Sequence, residues 1–167
     1  MPARRIRQLG DPILREISAP VEDPARESPL VDDLRATLHE FQRSHGFGRG
    51  ISAVQIGELK RLIYIEFEGR AYVIFNPEYV AKSAETFRLW DDCFSFPDLL
   101  VYLERSAAVS VSYVDQNGEA QVIDAEGALS ELLQHEIDHL NGVLAIDHAI
   151  GPLGLATRAE WERQRAS

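Results

Sequence analysis

Apolar residues recur at helical spacing in two long stretches of the chain. In residues 28–45 the apolar residues that recur at this spacing are Leu30, Leu34, Leu38 and Phe41. In residues 126–141 they are Leu129, Leu132, Leu133, Ile137 and Leu140. Steps of three and four residues place these side chains on one face, so both stretches are predicted to be amphipathic helices. Ser28 is expected to cap the first helix, and Gly142 to end the second in a left-handed conformation.

Between these helices the apolar residues form short runs separated by turn residues. The four clearest runs lie at residues 61–67, 71–75, 109–113 and 120–123. Glu68 and Gly69 separate the first two runs, and residues 115–118 separate the last two. Turn residues between β-branched or alternating runs are typical of hairpins, so two hairpins are predicted.

A last helix is predicted from Thr157 to the C-terminus, because Thr157 and Glu160 match a capping box. The order helix, strands, helix favours an α+β fold. We therefore expect one domain over residues 1–167. Antiparallel sheets would pack around the helix of residues 126–141, with one further helix near each end of the chain.

Composition and charge narrow the classes of function. The formal net charge is −10, which disfavours a direct role in binding nucleic acid. No apolar run approaches the roughly 18 residues of a membrane span, and no signal-peptide pattern is present at the N-terminus. A cytoplasmic protein with no membrane role is expected. The single cysteine, Cys93, excludes an internal disulfide and leaves three roles: buried apolar residue, nucleophile or metal ligand.

The strongest chemical signal is an H-E-x-x-H segment inside the second predicted helix. Residues four apart lie on one helix face, so His135 and His139 can bind one divalent metal ion. Glu136 follows the first histidine and is expected to act as a general base on water near that metal. A surface helix with two histidines by chance is the weaker interpretation.

A catalytic site of this kind usually needs a third protein ligand. A histidine six residues after His139 would be typical of one class of metalloprotease, but that position is Ala145. A later glutamate, as in a second class, could be Glu160. The third candidate is Cys93, a thiolate when it binds metal. The pattern alone leaves Glu160 and Cys93 open.

Four segments resemble the peptide deformylase family, and the likeness spans nearly the whole chain. They are Gly10–Arg15 (GDPILR), Gly48–Gly57 (GRGISAVQIG), Trp90–Pro97 (WDDCFSFP) and Gln134–Gly142 (QHEIDHLNG). The resemblance implies removal of the N-terminal formyl group from formylmethionyl peptides, with release of formate. It also implies that Cys93, His135 and His139 hold the metal. Fe²⁺ is the usual native ion, and Zn²⁺, Ni²⁺ or Co²⁺ can occupy such a site.

The resemblance also assigns the remaining site residues. Glu136 would carry the proton, while the Gln55 side-chain amide and the Phe94 backbone N–H would donate to the formyl oxygen. Gly48, Gly50 and Ile51 would lie along an extended substrate. The expected partners are N-formylated peptides or nascent chains, with a transient ribosome contact, and the protein is expected to be a monomer.

The chain departs from the family pattern near the expected site. Asp92 stands in place of a glycine, Phe94 in place of a leucine, and Val54 in place of a proline. Val54 is expected to loosen the restraint on Gln55. Two other functions therefore stay open: hydrolysis of another N-formylated or N-acylated amine, and a deformylase-like binding protein without turnover.

Glu131 lies one turn before His135, where many family members have an apolar residue or an arginine. We expect it to border the pocket for the substrate's first side chain. Together with Asp92 and Asp98 it would make this region strongly negative. Arg105 is expected to pair with Asp91.

Overall fold

A computed structural model describes residues 2–166. Three α-helices lie in this part of the chain: α1 (Ser28–His45), α2 (Gly127–Leu140) and α3 (Arg158–Ala166). The predicted helices at 28–45 and 126–141 are confirmed, since Glu126 and Asn141 are the cap residues of α2. Ser28 is not the cap of α1, because Glu27 occupies that position.

The strands form two antiparallel sheets. The strands are β1 (Gly50–Ser52), β2 (Leu62–Phe67), β3 (Arg70–Lys82), β4 (Thr86–Asp91), β5 (Leu99–Ser106), β6 (Ala108–Val114), β7 (Ala120–Glu126) and β8 (Leu155–Thr157). The larger sheet has the order β1-β2-β3-β6-β7, and the smaller has the order β4-β5-β8. Both predicted hairpins, β2-β3 and β6-β7, belong to the larger sheet. The fold class is the predicted one.

Helix α2 is buried on nearly all sides, which is unusual for a helix this polar. Its apolar face packs in a cluster with side chains of the larger sheet, among them Ile63, Ile65 and Val111. Six polar residues of α2 are also buried: Ser130, Glu131, Gln134, His135, Glu136 and His139. Gln134 is bonded to the backbone of Ser106 at the end of β5. The sheets thus hold a polar helix face away from solvent, where water competes little for its side chains.

The last helix begins as predicted. The Glu160 N–H donates to the Thr157 hydroxyl at 3.2 Å, which is half of the expected capping box. The Glu160 carboxylate is instead paired with Arg163. None of the helices in residues 2–166 is long and apolar enough to cross a membrane.

Candidate active site

A cysteine and two histidines meet between the sheets. His139 Nε2 lies 3.2 Å from His135 Nε2 and 3.3 Å from Cys93 Sγ. Helix α2 places the two imidazoles one turn apart, and Cys93 reaches them from the loop after β4. All three residues are buried, and their ligand atoms lie within 4.8 Å of one another. Two nitrogens and one sulfur are a donor set suited to a divalent transition metal.

Asp91 fixes the orientation of the first histidine. Its Oδ2 lies 2.7 Å from His135 Nδ1, which leaves Nε2 directed at Cys93 and His139. Burial alone would raise the pKa of Asp91, but His135 and then Arg105 outweigh it and hold this pKa below its usual value. A carboxylate behind a ligand histidine is the usual support of a metal site. The residues present therefore fit a metal ion.

Glu136 is the one carboxylate lining the cavity that forms no salt bridge among residues 2–166. It is 3% exposed, and its Oε2 has no hydrogen-bond partner there. Burial raises the pKa of Glu136 to about 7. A carboxyl group of this pKa can both accept and return a proton near neutral pH.

The side chain of Gln55 is held with its amide nitrogen toward the metal ligands. Its Oε1 accepts hydrogen bonds from the Ser52 N–H at 3.0 Å and from the Ser52 hydroxyl at 3.2 Å. Its Nε2 lies 3.1 Å from Ser95 Oγ and 3.6 Å from Cys93 Sγ. Ser52 thus restrains the Gln55 side chain, and the loosening effect of Val54 on the backbone stays a prediction.

A cavity of about 420 Å³ opens beside these groups. It is lined by Phe47, Gly48, Arg49, Gly50, Gln55, Asp91, Asp92, Cys93, Phe94, Glu131, Leu132, His135 and Glu136. Gly48 has φ +132°, and a Cβ there would lie 2.5 Å from Phe94 Cζ. A Cβ on Gly50 would lie 3.1 Å from Ile65 and 3.4 Å from Glu136. Both glycines keep backbone close to the site.

The polypeptide deformylase family model matches residues 3–152. The chain belongs to this family. It is 42% identical over 146 residues to the peptide deformylase of Rhizobium meliloti, covering 84% of this chain and 81% of that protein. It is 35% identical to peptide deformylase 2 of Clostridium perfringens, and that match covers 89% of this chain and 94% of that protein.

Solved deformylase structures share the fold. A peptide deformylase from Synechococcus elongatus in complex with actinonin superposes with a TM-score of 0.85 at 32% identity, covering 92% of this chain and 82% of that one. The peptide deformylase from Thermotoga maritima gives a TM-score of 0.84 at 32% identity, and the match covers 90% of this chain and 99% of that one.

Two candidate residues do not line the cavity of this deformylase family member. Glu160 is not part of the cysteine and histidine group; it lies on the exposed side of α3 in an ion pair with Arg163. The side chain of Ile51 is fully buried in the apolar core and does not line the cavity.

The cavity is less negative than the sequence predicted. Glu131 does border it, but its carboxylate is paired with Arg49. Asp92 is paired with Arg158 at 2.9 Å, and Asp98 does not line the cavity. These cations were missed because each is far from its partner in sequence.

Arg105 contacts two carboxylates. The predicted pairing with Asp91 is present, at 3.9 Å. A shorter contact of 2.6 Å joins Arg105 to Asp138 on α2. The guanidinium thus ties β5 both to the carboxylate behind His135 and to the metal-binding helix.

Proposed function

We propose that this chain is a metal-dependent peptide deformylase, which removes the formyl group from N-terminal formylmethionine and releases formate. The observation that carries the proposal is the buried group of Cys93, His135 and His139 with the unpaired Glu136 beside it. Membership of the deformylase family supports the same reaction.

Cys93, His135 and His139 would hold one divalent metal ion. We expect Fe²⁺ in the native protein, with Zn²⁺, Ni²⁺ or Co²⁺ as alternatives. Such an ion, when bound, supplies Lewis-acid chemistry that lowers the pKa of water and polarises a carbonyl group. Asp91 would keep the His135 ring in the required tautomer.

The proton transfers fall to Glu136. Its carboxylate would take a proton from the attacking water and then give that proton to the departing amine, so one group serves both steps. A pKa near 7 suits both directions. Because the carboxylate is buried, bulk water does not compete for the proton during the reaction.

Two donors would stabilise the negative charge that develops on the formyl oxygen. One is the Gln55 side-chain amide, whose nitrogen faces Cys93. The other is the backbone N–H of Phe94, a residue that directly follows Cys93 and lines the cavity. Fixed donors of this kind contribute most when they need not reorganise during the reaction.

The substrate would lie along β1, which is an edge strand of the larger sheet. The Glu66 N–H donates to the Arg49 carbonyl at 2.8 Å, so the backbone carbonyl of Arg49 points toward β2. Backbone groups alternate sides along a strand, and those of Gly50 therefore face the open edge. An extended peptide could pair with them as an added strand, with Gly48 clearing its path.

The natural substrates would be N-formylated peptides or nascent chains, met during transient contact with ribosomes. We further propose a monomer that acts in the cytoplasm. The site uses no nucleic-acid contact and no membrane contact in this scheme.

The test is formate release from formyl-Met-Ala-Ser by protein loaded with a known metal, together with metal analysis. Cys93→Ala and His139→Ala should lose stoichiometric metal and activity, because each removes one of three ligands. Glu160→Ala is the matched control and should keep both. Full metal content in Cys93→Ala would overturn the ligand assignment, and metal-loaded protein that releases no formate would favour a binding protein without turnover.

A further inference from the structure

An arginine and a glutamate form an ion pair inside the cavity wall. Arg49 lies between Gly48 and Gly50, and Glu131 lies on α2 one turn before His135. Their side chains are 40% and 5% exposed. Arg49 Nη2 donates to Glu131 Oε1, whereas Glu131 Oε2 has no hydrogen-bond partner among residues 2–166.

This pair is not explained by stability. The buried Glu131 carboxylate loses its water, and an ion pair with the partly exposed Arg49 guanidinium seldom returns more stability than apolar residues of the same volume would give. A buried carboxylate oxygen without a donor adds a further cost. Burial accordingly raises the pKa of Glu131, although Arg49 opposes that effect. A group kept at such a cost inside a cavity points to a ligand that completes its hydrogen bonds.

The distance from the reacting group fits a substrate side chain. Residues four apart on a helix have Cβ atoms about 5–6 Å apart, so Glu131 lies roughly that far from His135 along α2. A side chain as long as methionine or glutamine spans about the same distance. With the formyl group at His135 and the backbone along Gly50, the first side chain would end at Arg49 and Glu131.

We propose that Arg49 and Glu131 form a polar subsite for the end of the substrate's first side chain, and that it favours an amide. The amide N–H would donate to Glu131 Oε2, and the amide oxygen would accept from the Arg49 guanidinium. This inference rests on the proposed function and deepens it. The substrates would then include N-formyl peptides whose first residue is polar, in addition to those that begin with methionine.

The experiment compares two nearly isosteric substrates, formyl-Gln-Ala-Ser and formyl-Met-Ala-Ser. The metal-loaded wild type is measured beside the double variant Arg49→Ile/Glu131→Leu. The ratio of kcat/KM for glutamine over methionine should fall by about 10- to 100-fold in the double variant, the equivalent of one lost hydrogen bond to a charged group. Arg88→Ile/Glu104→Leu removes an exposed pair outside the cavity and should leave the ratio unchanged.

Two readouts do not depend on turnover. Calorimetry with the unformylated peptides should show tighter binding of Gln-Ala-Ser than of Met-Ala-Ser in the wild type, and this difference should vanish in the double variant. The melting temperature of the double variant should be equal to or above that of the wild type, since apolar residues replace a costly pair.

Failure of this inference can be told apart from failure of the proposed function. The protein could release formate with the same ratio of kcat/KM, glutamine over methionine, in the wild type and the double variant. That result would overturn the polar subsite and leave the proposed deformylase function intact. Absence of formate release from every peptide would overturn the proposed function, and calorimetry would still decide the role of the pair. A large loss of melting temperature in the double variant would show a structural role and count against the inference.

Discussion

Replacing Gly48 by alanine should damage the site through one clash. The new Cβ would lie 2.5 Å from Phe94 Cζ, well inside van der Waals contact. The Phe94 ring cannot easily move away, because it is stacked on Phe41 with ring centroids 3.8 Å apart. Phe41 is itself 5% exposed in the core. The backbone at φ +132° is a second cost, since side chains rarely adopt it.

The two costs can be separated. Backbone strain at such a residue is about 1–3 kcal/mol, and overpacking adds about 1–3 kcal/mol. A chain of 167 residues loses roughly 2–4 °C of melting temperature per kcal/mol. Gly48→Ala should therefore melt roughly 5–20 °C below the wild type. Gly46→Ala is the matched control, with φ +79° and nothing within 4 Å of its Cβ, and should lose only the strain of about 1–2 kcal/mol.

A double-mutant cycle tests the assumed cause, with thermal and urea unfolding of metal-loaded protein as the assay. Phe94→Leu, which restores the family's residue, should make room for the new methyl group. The cost of Gly48→Ala should then be at least about 1 kcal/mol smaller than in the wild type. The value of kcat for formate release should fall in Gly48→Ala, because the Phe94 N–H is displaced, and hold in Gly46→Ala. Additivity of the two substitutions to within about 0.5 kcal/mol would refute the clash.

Three further substitutions test the roles of single side chains. Glu136→Gln should keep its metal and lower the rate of formate release by about 10²–10⁴, and a near-normal rate would remove Glu136 from the proton transfers. Gln55→Leu should lower kcat by about 10²–10³ with little change in KM, whereas a change confined to KM would make Gln55 a binding residue. Asp91→Asn should weaken metal affinity by about 10–100-fold in competition with a chelator, and unchanged affinity would show that Asp91 does not support His135.

The helices and the two histidines of the site were predictable because their signals are local. The repeat of apolar residues over 28–45 and 126–141 lies within single elements, and so does the spacing of His135 and His139. Cys93 is distant in sequence, and only the resemblance of its flanking residues separated it from Glu160.

Of the missed strands, β1, β5 and β8 lack a pattern that alternation could detect. All three residues of β1 are buried, so its two faces do not differ. In β5 the run from Leu99 to Leu103 is almost continuously apolar, because both faces of the strand are buried or partly buried there. Strand β8 has only three residues, and it is a strand only because it pairs with β5.

The predicted charge of the cavity was too negative for a related reason. Arg49 and Glu131 are 82 residues apart, and Asp92 and Arg158 are 66 apart. Carboxylates can be counted along a chain, but cations that neutralise them across the fold leave no trace in local sequence. Such pairings become visible only when the tertiary contacts are known.

Arg158 connects the last helix to residues that line the active-site cavity. It lies beyond residue 152, where the family match stops, yet its guanidinium bonds Asp92 and the Pro97 carbonyl and lies 4.3 Å from the Phe47 ring centroid. A shortened enzyme that ended at residue 152 would retain Cys93, His135, His139 and Glu136. It would nevertheless leave the Asp92 carboxylate without its cation, one residue from Cys93. Engineers who trim this protein to a minimal catalyst, or fuse a partner to its last helix, would thereby alter the active site.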